Sequence, residues 1–338
     1  MHMRKSAWPA PPLWICKDLG PHGSVMYFLQ CQMKGEESVI NFPPTDEHIQ
    51  IEIKHYVQKN EQLEPLLLFY QSMYRAQKKY IEGKSAEILR SEFGMKSQRK
   101  EAVLLENGLS ISLEVYQDFM LSLLDDACRH LLPNLSSSQR IAMEKLLDQV
   151  IAAPEIRESI CVPAHLSLPF LQSLLAEKLI SLLGRRELAV LAQIIRAACQ
   201  IDYVCVARRA QSLSLFKNWQ QGICPVCGEK PMLAMLREQD GVRMLECGLC
   251  HAQWTAPRLG CLQCGNTDQD SLGFFFIPGQ EYRRVYVCHE CKYYLKTIVL
   301  KEINREVIPD LENIATYFLD DVAQKEGFGY NVSQTEIN

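Results

Sequence analysis

Apolar residues recur at helical spacing through most of the first two thirds of the chain, and the pattern breaks into short β-type runs at Gly222. Thr45-Asp46-Glu47-His48 reads as a helix start, and Ile49, Ile53, Tyr56 and Val57 then fall on one stripe. A second helix is expected to open near Pro65, a residue tolerated in a first turn, with Leu66, Phe69, Met73 and Tyr80 as its apolar face. Helices follow over Leu113–Leu132 and Ser138–Ala152, divided by Pro133-Asn134-Leu135-Ser136. Pro169–Leu183 predicts another, with Gly184 as its C-terminal stop. Glu187 to about Trp219 predicts one long helix with Leu188, Leu191, Ile195, Ala198 and Cys205 on its apolar face. Residues 84–110 are polar and weakly patterned, and prolines at 9, 11, 12 and 21 keep residues 1–42 from forming a long helix.

Beyond Gly222 the apolar runs shorten to strand length: Met232–Leu236, Arg243–Glu246, Leu272–Ile277, Arg284–Val287 and Leu295–Leu300. Helical spacing returns after Pro309. Asp310 is the expected N-cap, Ile314, Tyr317, Phe318 and Val322 form the stripe, and Gly327 closes it.

Composition narrows what such a chain does. Its 338 residues suit two or three domains and bury a core without needing disulfides. The net charge of −4 offers no basic field to nucleic acid or to an anionic membrane. No unbroken apolar run reaches the ~18 residues of a membrane span. Residues 1–20 lack the basic, apolar and small-residue regions of a signal peptide. A cytoplasmic protein without membrane insertion is expected. In that compartment, the 14 cysteines are thiols or metal ligands rather than disulfides.

Six cysteines are scattered: Cys16, Cys31, Cys128, Cys161, Cys199 and Cys205. These are expected to be small buried apolar residues. The other eight form four Cys-x-x-Cys pairs: Cys224/Cys227, Cys247/Cys250, Cys261/Cys264 and Cys288/Cys291. A two-residue spacer lets two thiolates take adjacent corners of one metal, and backbone N–H groups of that turn point at the sulfurs. Gly228 and Gly265, which follow second cysteines, suit a turn that needs positive φ. Paired in chain order, 19 residues separate Cys227 from Cys247 and 23 separate Cys264 from Cys288, which predicts two tetrahedral four-cysteine sites. Crossed pairing is the alternative. A thioredoxin-like disulfide motif would need a βαβ setting that the pattern lacks. Tetrahedral sulfur suits zinc or iron: the spacing favours zinc, while Cys224-Pro-Val-Cys227-Gly228 has the form of a rubredoxin knuckle. Closed four-cysteine sites leave no open position for a hydrolytic water.

The expected fold is therefore α+β. An irregular segment (1–44) and an all-helical domain (45–219) precede two tandem rubredoxin-like or zinc-ribbon β modules (220–259 and 260–308), and a C-terminal helix and tail (309–338) follow. No phosphate-binding glycine loop, Gly-x-Ser-x-Gly or His-Glu-x-x-His is present, so no catalytic residue is assigned. His251 and His289, beside cysteines, suit an outer-shell or solvent role. Trp254 and Arg258 on the connector are candidates for partner binding, or else a packed ring and a solvated charge. One ring of Phe274-Phe275-Phe276 should face outward.

The flanks of the pairs carry a family resemblance. Trp219-Gln-Gln-Gly222-Ile-Cys224-Pro-Val-Cys227-Gly228, Glu246-Cys247-Gly-Leu-Cys250-His-Ala-Gln-Trp254, Arg258-Leu-Gly-Cys261-Leu-Gln-Cys264-Gly265 and Cys288-His-Glu-Cys291-Lys-Tyr-Tyr294-Leu295-Lys296 occur in order. With Pro309-Asp310-Leu311, Asp320 and Gly327-Phe328, they resemble the formate dehydrogenase accessory proteins of the FdhE type over about residues 219–328. The resemblance implies a cytoplasmic, non-catalytic factor in formate dehydrogenase maturation that contacts the catalytic subunit. It also implies two metal ions, with rubredoxin-like iron favoured over zinc and the eight knuckle cysteines as ligands. Two alternatives are an electron-carrying iron protein and a nucleic-acid-binding zinc ribbon. Residues 216–338 carry 12 Lys and Arg against 16 Asp and Glu, which opposes the second.

Overall fold

The structure, a computed structural model, describes residues 42–88, 102, 109, 111, 113–152, 177–213 and 218–330. Helix α1 (Asp46–Val57) begins as its sequence signals: the Thr45 hydroxyl accepts from the His48 N–H at 3.2 Å. Asp46 and Glu47 in the first turn and Lys54 and His55 in the last complement the helix dipole. Helix α2 (Glu64–Ile88) carries Pro65 in its first turn and buries Leu67, Met73, Tyr74, Gln77 and Ile81. Tyr116 ends a short 3-10 turn before α3 (Gln117–His130). Helix α4 (Ser137–Ala152) starts on a reciprocal box. There the Ser136 Oγ accepts from the Gln139 N–H at 3.2 Å, and the Gln139 Oε1 accepts from the Ser136 N–H at 3.0 Å.

Of the helix expected over Pro169–Leu183, the part before Glu177 lies outside the described residues, and Glu177–Ile180 form a single helical turn. Gly184 is not that helix's stop. It is the extended N-cap (φ −84°, ψ 175°) of α5 (Arg185–Ser212), whose first carbonyl-directed bond runs from Leu188 N to Gly184 O. Three residues, Ser181, Leu182 and Leu183, separate it from the Glu177–Ile180 turn, with Leu182 N bonded to Leu179 O and Leu183 N to Ile180 O. Helix α5 is long and apolar enough to cross a membrane by length and composition, yet 78% of its apolar window is buried among the other helices. It is the central rod of the helical half.

Buried polar residues fix how the rod sits. Lys84 pairs with Asp202 at 2.5 Å, and the Tyr116 hydroxyl donates to the other oxygen of Asp202 at 2.9 Å. Cys199 and Cys205 are buried as expected, and Cys128 is partly buried. Cys16, Cys31 and Cys161 lie outside the described residues.

The two β modules share one sheet. Its six strands are β1 (Pro231–Leu236), β2 (Arg243–Cys247), β3 (Gln253–Ala256), β4 (Leu272–Phe276), β5 (Arg283–Cys288) and β6 (Tyr294–Val299), in the order β3-β2-β1-β6-β5-β4. Each half is an antiparallel meander, and the halves join through the parallel pair β1 and β6, with Ala234 opposite Thr297 and Leu236 opposite Val299. Every residue of β6 is buried, as a strand in a shared centre requires. Strand β3, which the apolar pattern did not announce, pairs Trp254 with Leu245.

The closing helix is broken into α6 (Pro309–Ala315) and α7 (Tyr317–Lys325). Thr316 sits between them, and its hydroxyl donates to the Glu312 carbonyl at 2.7 Å. Ile308, not Asp310, is the N-cap, because Pro309 takes the first helical position. Asp310 is buried in the first turn and accepts from the Tyr74 hydroxyl at 3.1 Å. Leu319, Ala323 and Phe328 cover Phe275, Val285 and Val287 on one sheet face. Phe274 and Phe276 stack on the opposite face, with the Arg284 guanidinium 4.9 Å from the Phe274 ring.

An ionic knot ties helix, sheet and closing segment together. Glu312, fully buried, accepts from Arg283 at 2.6 and 3.2 Å, from Arg305 at 2.8 Å and from the Tyr56 hydroxyl at 2.5 Å. Arg305 also pairs with the buried Glu52 of α1. Burial opposes the Glu312 charge, but Arg283, Tyr56 and Arg305 together hold its carboxyl below the usual range.

Candidate metal centre

Each Cys-x-x-Cys pair folds into the same turn. In the first, Cys224 N donates to Glu229 O at 2.7 Å and Gly228 N donates back to Cys224 O at 3.0 Å. Bonds of the same pattern close the knuckles at Cys247 (from His251 N, 3.1 Å) and Cys261 (from Gly265 N, 3.0 Å). The residue after the second cysteine has positive φ in all four: Gly228 at 79°, His251 at 55°, Gly265 at 74° and Lys292 at 59°. Glycine meets this demand at no steric cost, while His251 and Lys292 occupy it against preference and are held there by their surroundings.

These turns bring the thiols together in chain order, not crossed. Cys224, Cys227, Cys247 and Cys250 form one group and Cys261, Cys264, Cys288 and Cys291 the other, with all sulfurs of a group within 4.8 Å of one another. In the first group, Cys224 and Cys250 lie 3.4 Å apart, Cys227 and Cys247 3.4 Å, and Cys227 and Cys250 3.8 Å. In the second, Cys261 and Cys291 are 3.5 Å apart, and Cys264 and Cys288 3.8 Å. A tetrahedron with metal–sulfur bonds of ~2.3 Å has edges of about 3.8 Å, so both groups fit one ion each with little movement.

Electrostatics agree. Burial raises the thiols of Cys224, Cys227 and Cys250. It also opposes ionisation of Cys247, but hydrogen bonds from the other three thiols outweigh it and hold Cys247 well below the ordinary range. Four buried thiols this close cannot all ionise without a counter-charge, and a cation in their midst would supply it. Backbone N–H groups already aim at the sulfurs: Val226 at Cys224 (3.4 Å), Leu249 at Cys247 (3.4 Å) and Gln263 at Cys261 (3.4 Å).

The supporting contacts were not visible as motifs. Gln200, on the α5 rod, donates to Gly248 O inside the second knuckle at 3.1 Å and accepts from Gln77 at 2.9 Å. His251 is 3% exposed; its Nδ1 lies 3.2 Å from Glu246, and its ring stacks on Phe42 with centroids 3.6 Å apart. Its Nε2 stands 3.7 Å from Asp310, too long for a hydrogen bond. Burial works against a charge on this ring, and Asp310 and Glu246 overcome it, so the imidazole pKa is raised. Asn266 donates to the Cys288 sulfur at 3.8 Å. Its place two residues after Cys264 was the available signal.

Trp254 is 4% exposed, and its indole N–H donates to Gln221 O at 2.9 Å. Arg258 is exposed and donates to Gly241 O in the β1–β2 loop. His289 lies edge-on to Phe328, centroids 5.3 Å apart.

A helical domain carrying two facing pairs of Cys-x-x-Cys knuckles on one shared sheet defines the class: a metal-ribbon protein with a helical body. The family model for the FdhE central domain matches residues 223–258, which span the first cysteine group. The "Protein FdhE homolog" of Aquifex aeolicus is 36% identical over 115 residues, 33% of this chain and 40% of that protein. The homolog from Shewanella oneidensis is 34% identical over 113 residues, 32% of this chain and 36% of that protein. These matches span well under half the length of the relatives. The crystal structure of the FdhE protein from Pseudomonas aeruginosa shares the fold, with a TM-score of 0.53 at 21% identity, over 86% of this chain and 95% of that one. In its cysteine-bearing third the chain is similar to FdhE proteins, and its α+β fold is the one found in FdhE.

Proposed function

We propose that the protein is a cytoplasmic, non-catalytic accessory factor in formate dehydrogenase maturation. In this reading it binds the enzyme's catalytic subunit and carries one metal ion in each four-cysteine group. The observation that carries it is the assembly of eight cysteines into two groups of four, the first of them within the segment that matches the FdhE central domain. All eight act as ligands, so neither ion keeps a position open for substrate or water. The ions brace the ribbons, and the ribbons with the helical body present a surface to the apo-enzyme. Of Trp254 and Arg258, the exposed Arg258 is the side chain a partner would reach.

The test is anaerobic purification of the full chain with metal analysis, followed by pull-down against a formate dehydrogenase catalytic subunit. Two metal equivalents and a retained subunit are expected. Absence of binding under those conditions overturns the accessory role.

A second reading, an iron centre that carries an electron, draws on the N–H···S bonds and the rubredoxin-like Cys224-Pro-Val-Cys227-Gly228 turn. It predicts a reversible iron signal, and zinc as the sole metal after anaerobic purification would rule it out.

A further inference from the structure

We propose that the two metal sites have unequal exchange: the second opens at Cys264 and passes its ion to an incoming ligand, while the first is locked. This rests on the reading that both four-cysteine groups hold a metal ion. Every thiol of the first group is buried, with at most 1% exposure. Its knuckles are packed from behind, since a Cβ at Gly248 would meet Met232 at 3.1 Å, and Gln200 and His251 grip the same turn. In the second group, Cys261, Cys288 and Cys291 are buried but Cys264 is exposed, as are Gly265 and residues 267–270 beyond it.

The knuckle is held at one end only. Gly222 comes so close that a Cβ there would stand 2.1 Å from the Leu262 carbonyl, which pins the Cys261 half. A Cβ at Gly265 would meet nothing within 4 Å, so the Cys264 half faces open space. The Cys261 sulfur receives the Gln263 N–H, and the Cys288 sulfur receives Asn266. At Cys264 the neighbour is the Cys288 sulfur at 3.8 Å; like Cys227 and Cys250 of the first group it receives no N–H at sulfur among the described residues, but those two are buried and Cys264 is open to solvent. Such supporting donors change metal affinity by ~10–100-fold where they have been removed from a ligand. Exchange then proceeds by ligand substitution: the metal–Cys264 bond breaks, a thiolate or chelator donor takes the corner, and the remaining three sulfurs follow. No electron is transferred.

The experiment loads the full chain with cobalt(II) and follows the thiolate-to-metal absorbance during EDTA challenge. Pulsed iodoacetamide labelling with mass spectrometry runs in parallel. Two phases are expected, separated by roughly tenfold or more in rate, with Cys264 the first knuckle cysteine labelled during the fast phase. A single phase, or first labelling at Cys224, Cys227, Cys247 or Cys250, overturns the inference while leaving two metal sites standing. No thiolate-to-cobalt band at all overturns the metal reading on which it rests. A Cys264→Ser chain should lose the fast phase and keep the slow one; if the slow phase also disappears, the sites are not independent and the inference fails.

Discussion

Replacing Glu312 with Gln isolates the ionic knot from the rest of the fold. The change keeps the size of the side chain and removes its charge. Glu312 is fully buried and serves Arg283, Arg305 and Tyr56 at once. Arg305 retains Glu52 as a second carboxylate, but Arg283, 4% exposed, keeps among the described residues no other carboxylate partner, with the neutral Gln280 at 2.7 Å. Removing one partner of a buried ion pair and stranding the other typically costs about 3–5 kcal/mol. A loss in that range is expected for Glu312→Gln in urea unfolding at fixed metal concentration, since bound metal shifts apparent stability. Arg283→Met combined with Glu312→Leu should cost less than the two single changes together, because neither charge is then stranded. The pH dependence has a definite sign. The folded carboxyl lies below its ordinary value, 4.5, so its contribution is complete above that pH and disappears as pH falls through the lower folded value. A Glu312→Gln chain within about 1 kcal/mol of the parent would refute the knot as a joint between the helical body and the sheet, because even an ordinary buried hydrogen bond contributes that much.

Cys227→Ser should abolish one metal equivalent and unfold the first ribbon, since structural metal contributes on the order of 10 kcal/mol to such small folds; Cys128→Ser, in partly buried helix surface, should leave metal content intact by elemental analysis. Thr45→Ala removes the N-cap acceptor for His48 and should cost about 1 kcal/mol, read as a shift in the urea midpoint. His55 is held down to about 4 by burial, then by Arg305 and Lys59, so the unfolded chain takes up a proton first as pH falls. Stability should therefore decline from pH 6.5 to about 4 through this group, and His55→Gln should flatten that slope in pH-dependent melting.

What was legible in the sequence followed local rules. Thr45 as a cap, Pro65 in a first turn, Gly327 at a helix end and the knuckle spacing all depend on residues within a few positions of one another. Gly184 misled because a glycine between two helical patterns fits the end of one as well as the start of the next; the chain used it as a start. Strand β3 was hidden because Gln253-Trp254-Thr255-Ala256 has only four residues and one large apolar side chain. The parallel pairing of β1 with β6 joins residues some sixty positions apart, and no periodicity records a partner at that distance. Asp310 carried the local signal of an N-cap, and no motif marked Glu312. Their burial came from Tyr74, Tyr56, Arg283 and Arg305, contributed by other segments of the chain.

The shared sheet also explains why two groups with the same ligands are held differently. Parallel pairing of β1 with β6 places the first knuckles against the helical rod, where Gln200 reaches Gly248 and Phe42 covers His251. The second knuckles fall at the other half of the sheet, beside the outer strand β4, where Leu272 pairs with Cys288 and Cys264 projects beyond that pair. A change that loosens the helical body, such as Gln200→Ala, should therefore disturb the first site and leave the second alone. Cobalt spectra of that variant should show the slow EDTA phase quickened toward the fast one while the fast phase keeps its rate. Quickening of the fast phase alone would mean that the helical body supports the second site, and the division of labour across the sheet would be wrong.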